Sequence, residues 1–118
     1  MNNNESPLSV AEQIEVLEAA KVVLVSSSRG RYCVGLCYAI NCVIDEDYNH
    51  LAELSAHSGI YNVIPSFTFE NAVLSGAVDD DADPHWFWWD HSVEKGGITN
   101  RLAFLNFLID KLKNENHE

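Results

Sequence analysis

The stretch Ile98-Thr-Asn-Arg-Leu-Ala-Phe-Leu-Asn-Phe-Leu-Ile-Asp-Lys-Leu112 carries Ile98, Leu102, Leu105, Leu108, Ile109 and Leu112 at intervals of three or four. That spacing matches the 3.6-residue turn of an α-helix, so these side chains line one face and need a core to cover them. Thr99 or Asn100 is placed to cap the helix, and Lys111 and Lys113 fall in its last turn, where cations complement the dipole. The other end of the chain offers a matching element. Val10, Ile14, Leu17, Lys21 and Leu24 mark one helical face, with Glu12, Glu15 and Glu18 opposite. Ser9 and Glu12 have the spacing of a capping box, so a helix is expected from about Ser9 to Ser26. It ends in the turn composition Ser26-Ser-Ser-Arg-Gly30.

Between these ends, Arg31 to Ile44 is apolar and almost uncharged. Leu36, Ile40 and Val43 suit a buried helix, Cys33, Cys37 and Ile40 would share a face, and Gly35 would permit close packing. Asp45-Glu-Asp47 is expected to open a short helix over Tyr48–His57, with Gly59 as its stop. Ile60 to Phe69, with its proline and β-branched residues, reads as extended or irregular, and Phe69 to Ser75 as one or two helical turns. Gly76 to Pro84 is an acidic loop, and Lys95-Gly-Gly97 breaks the chain before the last helix. The expected fold is mainly α: a single small domain of about four helices, with a long irregular, partly extended section before the C-terminal helix. Residues 9–113 would form the domain, flanked by flexible segments 1–8 and 114–118.

A chain of 118 residues that is 47% hydrophobic suffices for one core and not for two. Its 18 acidic and 7 basic residues give a formal charge of −11, which repels nucleic acid and anionic membranes and favours a cation or a basic protein. No apolar run approaches the ~20 residues of a membrane span. The N-terminus lacks the basic and apolar regions of a signal peptide. The three cysteines crowd into Cys33–Cys42, which is not a disulfide framework and suits a reducing cytosol. The expected localisation is cytoplasmic.

The stretch Asp79-Asp-Asp-Ala-Asp-Pro-His-Trp-Phe-Trp-Trp-Asp-His91 contains all three tryptophans. Asp79, Asp80, Asp81 and Asp83 lack the alternation, central Gly and terminal Glu of a calcium loop. His85 and His91 are six residues apart, not the i, i+4 pair of a metal-binding helix, and Cys33, Cys37 and Cys42 lack a zinc spacing. Neighbouring Asp90, His91 and Ser92 are not a triad, and no phosphate-cradling glycine motif occurs. No cofactor is therefore implied. Trp86, Phe87, Trp88 and Trp89 alternate sides in an extended segment, so one side can enter the core while the other either packs against a second element or stays exposed as a contact patch. Arg101 lies near the start of the last helix, where the dipole disfavours a cation. Either an ion pair with an acid at 79–83, 90 or 94 compensates, or Arg101 is a solvated surface arginine.

Taken in order, the Gly35-Leu-Cys37 segment, the Trp86-Phe-Trp-Trp89 cluster and the Arg101, Phe104, Leu105, Leu108, Ile109 pattern resemble small phage and prophage accessory proteins. The likeness spans about residues 10–112. Those proteins often place proline after the tryptophans, where this chain has Asp90. The resemblance implies a phage accessory origin and no catalytic residues.

The expected function is non-enzymatic binding of a host protein in the host cytoplasm. Its sharpest form is an anti-CRISPR or anti-restriction inhibitor. Asp79, Asp80, Asp81 and Asp83, with Asp45–Asp47 in support, would occupy a basic nucleic-acid groove while Trp86, Trp88 and Trp89 anchor the contact. Two rival expectations stand beside it. One is a metal-binding protein or metal-dependent enzyme using His85, His91 and nearby aspartates. The other is a homo-oligomer whose tryptophans form the self-interface.

Overall fold

The computed structural model describes residues 7–27, 34–56, 59–81, 83 and 97–116. Five α-helices lie among them: α1 (Val10–Ser27), α2 (Leu36–Asp47), α3 (Ala52–Ser55), α4 (Phe69–Leu74) and α5 (Gly97–Asn116). Two single turns of 3₁₀ helix, Asn49–Leu51 and Gly59–Asn62, join the middle elements. The fold is mainly α around one core, as the helical spacing predicts. No strand occurs among the described residues.

The capping box forms. Ser9 N donates to Glu12 Oε1 (2.9 Å) and Glu12 N to Ser9 Oγ (3.1 Å), so each side chain satisfies an amide that the helix start leaves over. The buried side of α1 is Gln13, Val16, Leu17, Ala20 and Leu24. It is turned from the expected face, of which Leu17 and Leu24 are buried while Val10 and Ile14 are only half-buried. Gln13 is 1% exposed, and its Nε2 donates to the Leu8 carbonyl (3.1 Å). Leu8 is itself in the core, so the ordered body begins before Ser9.

Helix α1 packs against both α2 and α5. Lys21 Nζ donates to Asn106 Oδ1 (2.7 Å), and Val25 and Ser26 share a groove with Leu102. Residue numbers thus rise along α1 as they fall along α5, which makes the two helices antiparallel. On α5 the core takes Phe104, Leu105, Leu108, Ile109 and Leu112, with Ile98 and Leu102 packed at its edge. Thr99 and Asn100, expected as caps, lie inside the first turn of α5.

Helix α2 has no side-chain cap at Gly35, and its last turn holds Asp45, Glu46 and Asp47. These acids were expected to open the next helix. They close this one instead, at the end where the dipole disfavours negative charge. Burial of Leu36, Cys37, Ala39, Ile40, Val43 and Ile44 outweighs that arrangement, as is usual when tertiary packing stabilises a short helix.

Beyond α3 the chain is irregular, as expected, and built from successive turns. Val63 N and Ile64 N both donate to the Ile60 carbonyl, and Phe67 N donates to that of Ile64. Gly59, expected as a helix stop, begins a 3₁₀ turn. A Cβ there would stand 2.5 Å from the Leu54 carbonyl oxygen, so the close approach of main chain selects glycine. Thr68 Oγ1 caps α4 by accepting from Asn71 N (3.2 Å).

Candidate functional site

The acidic loop is anchored at its root. After α4 the chain turns at Gly76, whose φ of +83° favours glycine. Ala77 is buried, and its amide donates to the Ala72 carbonyl (3.2 Å) and to Ser75 Oγ (3.2 Å). Its carbonyl accepts from Asn100 Nδ2 (2.6 Å), which ties the loop to the first turn of α5. Asp79, Asp80, Asp81 and Asp83 follow directly, all exposed. The loop therefore projects carboxylates into solvent from a root fixed on two helices.

A second acidic corner is assembled by the fold. Tyr48 Oη donates to Glu15 Oε1 (3.3 Å), joining the end of α2 to α1. Glu15, Asp47 and Tyr48 line a groove of about 230 Å³ floored by Val16 and Val43. Partial burial, and then the charge and hydrogen bond of Glu15, hold the Tyr48 phenol above its ordinary value of 10.0. Asp47, at the end of the Asp45–Asp47 run, thus stands beside Glu15 of α1, some thirty residues away in sequence. Sequence reasoning paired that run with the 79–83 loop alone.

The third feature is an apolar cleft of about 320 Å³ among Ile60, Tyr61, Pro65, Phe67 and Phe69, with Cys37 on its wall. Tyr61 is 57% exposed at its mouth. Phe67 packs against Phe104 of α5 with ring centroids 5.7 Å apart and planes at 50°. The clue in the sequence was Pro65, which interrupts regular structure within a run holding three aromatics. Its reading as an irregular connector missed the recess. Burial pushes the Cys37 thiol from 9.0 up to about 12, so the residue acts as a small apolar side chain and not as a nucleophile.

Arg101 is fully buried, and its Nη1 donates to the Val34 carbonyl (3.1 Å) just before α2. This contact pins α5 to the entry of α2. Asp90 and Glu94, two acids named as partners for Arg101, lie outside the described residues. So do Trp86, Trp88, Trp89, His85, His91, His57 and Cys33. Among the described residues no group of three His, Cys, Asp or Glu side chains is placed to hold a metal ion, and no helix is long and apolar enough to cross a membrane.

Comparison of the chain with protein-family models, with curated proteins and with solved structures finds no match.

Proposed function

We propose that this chain is a non-enzymatic binding protein that docks onto a basic surface of another protein. The observation that carries the proposal is the anchored loop, which offers Asp79, Asp80, Asp81 and Asp83 to solvent from the Asn100–Ala77 tie. Fixing the root of a loop before binding lowers the ordering entropy that a contact must overcome. The α1–α2 corner adds Glu15 and Asp47, and the Tyr61–Phe69 cleft can receive an apolar side chain from the partner.

The finer reading follows from the charge of −11 and the likeness to phage and prophage accessory proteins. The partner is a nucleic-acid-binding protein of the host, and the carboxylates stand where it expects phosphates. A component of a defence system, as in anti-CRISPR or anti-restriction inhibition, is the specific case proposed. The setting is the host cytoplasm.

The test is capture from host lysate by wild type and by a variant with Asp79, Asp80, Asp81 and Asp83 all changed to Asn. A basic protein retained by wild type and lost by the variant is expected, with affinity falling steeply as salt rises. Affinity that stays level between low and high salt would sink the mimicry reading.

A further inference from the structure

Three neighbouring side chains near the start of α5 reach three different segments. Asn100 Nδ2 donates to the Ala77 carbonyl (2.6 Å), at the root of the acidic loop. Arg101, 0% exposed, donates from Nη1 to the Val34 carbonyl (3.1 Å), one residue before the Gly35 N-cap of α2. Phe104 packs against Phe67, which lines the apolar cleft. Phe104 follows Asn100 by four residues and Arg101 by three, so the three side chains adjoin on the helix surface. Cys37, in the first turn of α2, stands on the wall of the same cleft and is 2% exposed. The acidic loop and the cleft are thus both held from the Asn100–Phe104 stretch.

We infer that this stretch is a coupling element, which locks the loop root, the entry of α2 and the back of the cleft as one unit, so that freeing the loop root opens the cleft at Cys37. The start of α5 explains why the coupling runs through this turn. The helix begins at Gly97, a residue of high backbone entropy, and its first turn holds no acid to complement the dipole. The order of that turn therefore depends on contacts from outside the helix, and the Asn100–Ala77 tie supplies one. Once the tie is released, the turn frays towards Arg101, the next residue. A buried charge is costly without its acceptors, so Arg101 keeps the Val34 carbonyl and the two move together. No side-chain cap at Gly35 holds the entry of α2 against that shift. By linkage, a partner that fixes the loop also fixes the shape of the cleft. That consequence rests on the proposed function; the coupling itself does not.

Thiol labelling of the full chain reads the opening. With Cys33→Ser and Cys42→Ser, Cys37 is the one thiol left. Burial pushes it up to about 12, so an aryl disulfide reagent (dithiobis-nitrobenzoate) reacts near neutral pH only when the entry of α2 opens. Asn100→Ala, half-buried and outside the cleft lining, is expected to raise the labelling rate about fivefold, the effect of one lost hydrogen bond. Gln13→Ala removes the hydrogen bond to the Leu8 carbonyl in α1 and serves as the control for general loss of stability. Denaturant unfolding places the two variants on one scale. Faster labelling in Asn100→Ala than in Gln13→Ala, at equal loss of unfolding free energy, supports the coupling. Equal or slower labelling, or a rate unchanged from wild type, overturns it. No partner takes part, so this measurement and the salt-dependent capture above succeed or fail independently.

Discussion

The α1–α2–α5 body and the Gly59–Asp83 section are stabilised in different ways. The body buries apolar stripes: Val16, Leu17, Ala20 and Leu24 of α1 meet Ile40, Val43 and Ile44 of α2 and Phe104, Leu105 and Leu108 of α5. The section also sends Ile60, Val63, Ile64, Phe67 and Ala72 into that core, but its backbone shape is held by single polar contacts to main chain. Asn62 Nδ2 donates to the Leu54 carbonyl (3.1 Å), Asn71 Nδ2 to that of Ser66 (2.7 Å), and Ser75 Oγ to that of Ala72 (2.7 Å). A stripe distributes its stabilisation over many side chains, whereas each tie in the section rests on one donor. Two of the candidate binding features, the acidic loop and the Tyr61–Phe69 cleft, therefore grow from the section, where the backbone can take shapes that a helix forbids.

Phe104 joins the two regions through Phe67, so its removal should have the largest effect. Phe104→Ala is expected to cost about 3–5 kcal/mol in denaturant unfolding. A cost near 1 kcal/mol would mean that the section rests only loosely on the body. The next prediction concerns pH. The folded chain keeps the Cys37 proton up to about 12, while the unfolded chain releases it near 9.0. Stability from this group is complete below pH 9 and falls as pH rises through that window. The slope is about 1.4 kcal/mol per unit relative to Cys37→Ala. Parallel stability curves for the two proteins between pH 9 and 11 would contradict the burial of the thiol.

Glycine replacements probe the section alone. Gly59→Ala drives a Cβ against the Leu54 carbonyl and should cost about 1–3 kcal/mol. Gly76→Ala meets nothing within 4 Å but forces a side chain to φ +83°, for about 1–2 kcal/mol. Equal tolerance of both in thermal unfolding would show that the section's backbone is not fixed as described. The smallest effect is expected at Ser66, whose buried Oγ makes no hydrogen bond. Ser66→Ala should be neutral or stabilising by up to about 1 kcal/mol. A clear loss of stability would reveal a partner for that hydroxyl.

Much of the body was legible because helical periodicity and capping chemistry are local. Ser9 and Glu12 announce α1, the 98–112 pattern announces α5, and Phe69–Ser75 announces α4. The orientation of α1 was not legible, since burial of Gln13 depends on the Leu8 carbonyl, which no spacing rule places. Asp45–Asp47 were assigned to the wrong helix terminus for a related reason. Acids favour a helix start locally, but the packing of Val43 and Ile44 carries α2 through them. Of the candidate site, the exposed 79–83 loop could be named from sequence. The Tyr48–Glu15 corner and the Tyr61–Phe69 cleft could not, because each joins residues from separate elements.

By itself, then, the sequence determined a helical chain with one core, a strongly negative surface and an acidic loop ahead of the last helix. Those properties follow from composition, from repeats of three and four, and from caps that close within a single turn. Tertiary structure alone decided that Arg101 meets the Val34 carbonyl, that Asn100 anchors the loop through Ala77, and that Val22 and Val25 of α1 share a groove with Leu102 of α5. Each is a meeting of residues more than twenty positions apart, and only the packing of whole helices brings such residues together.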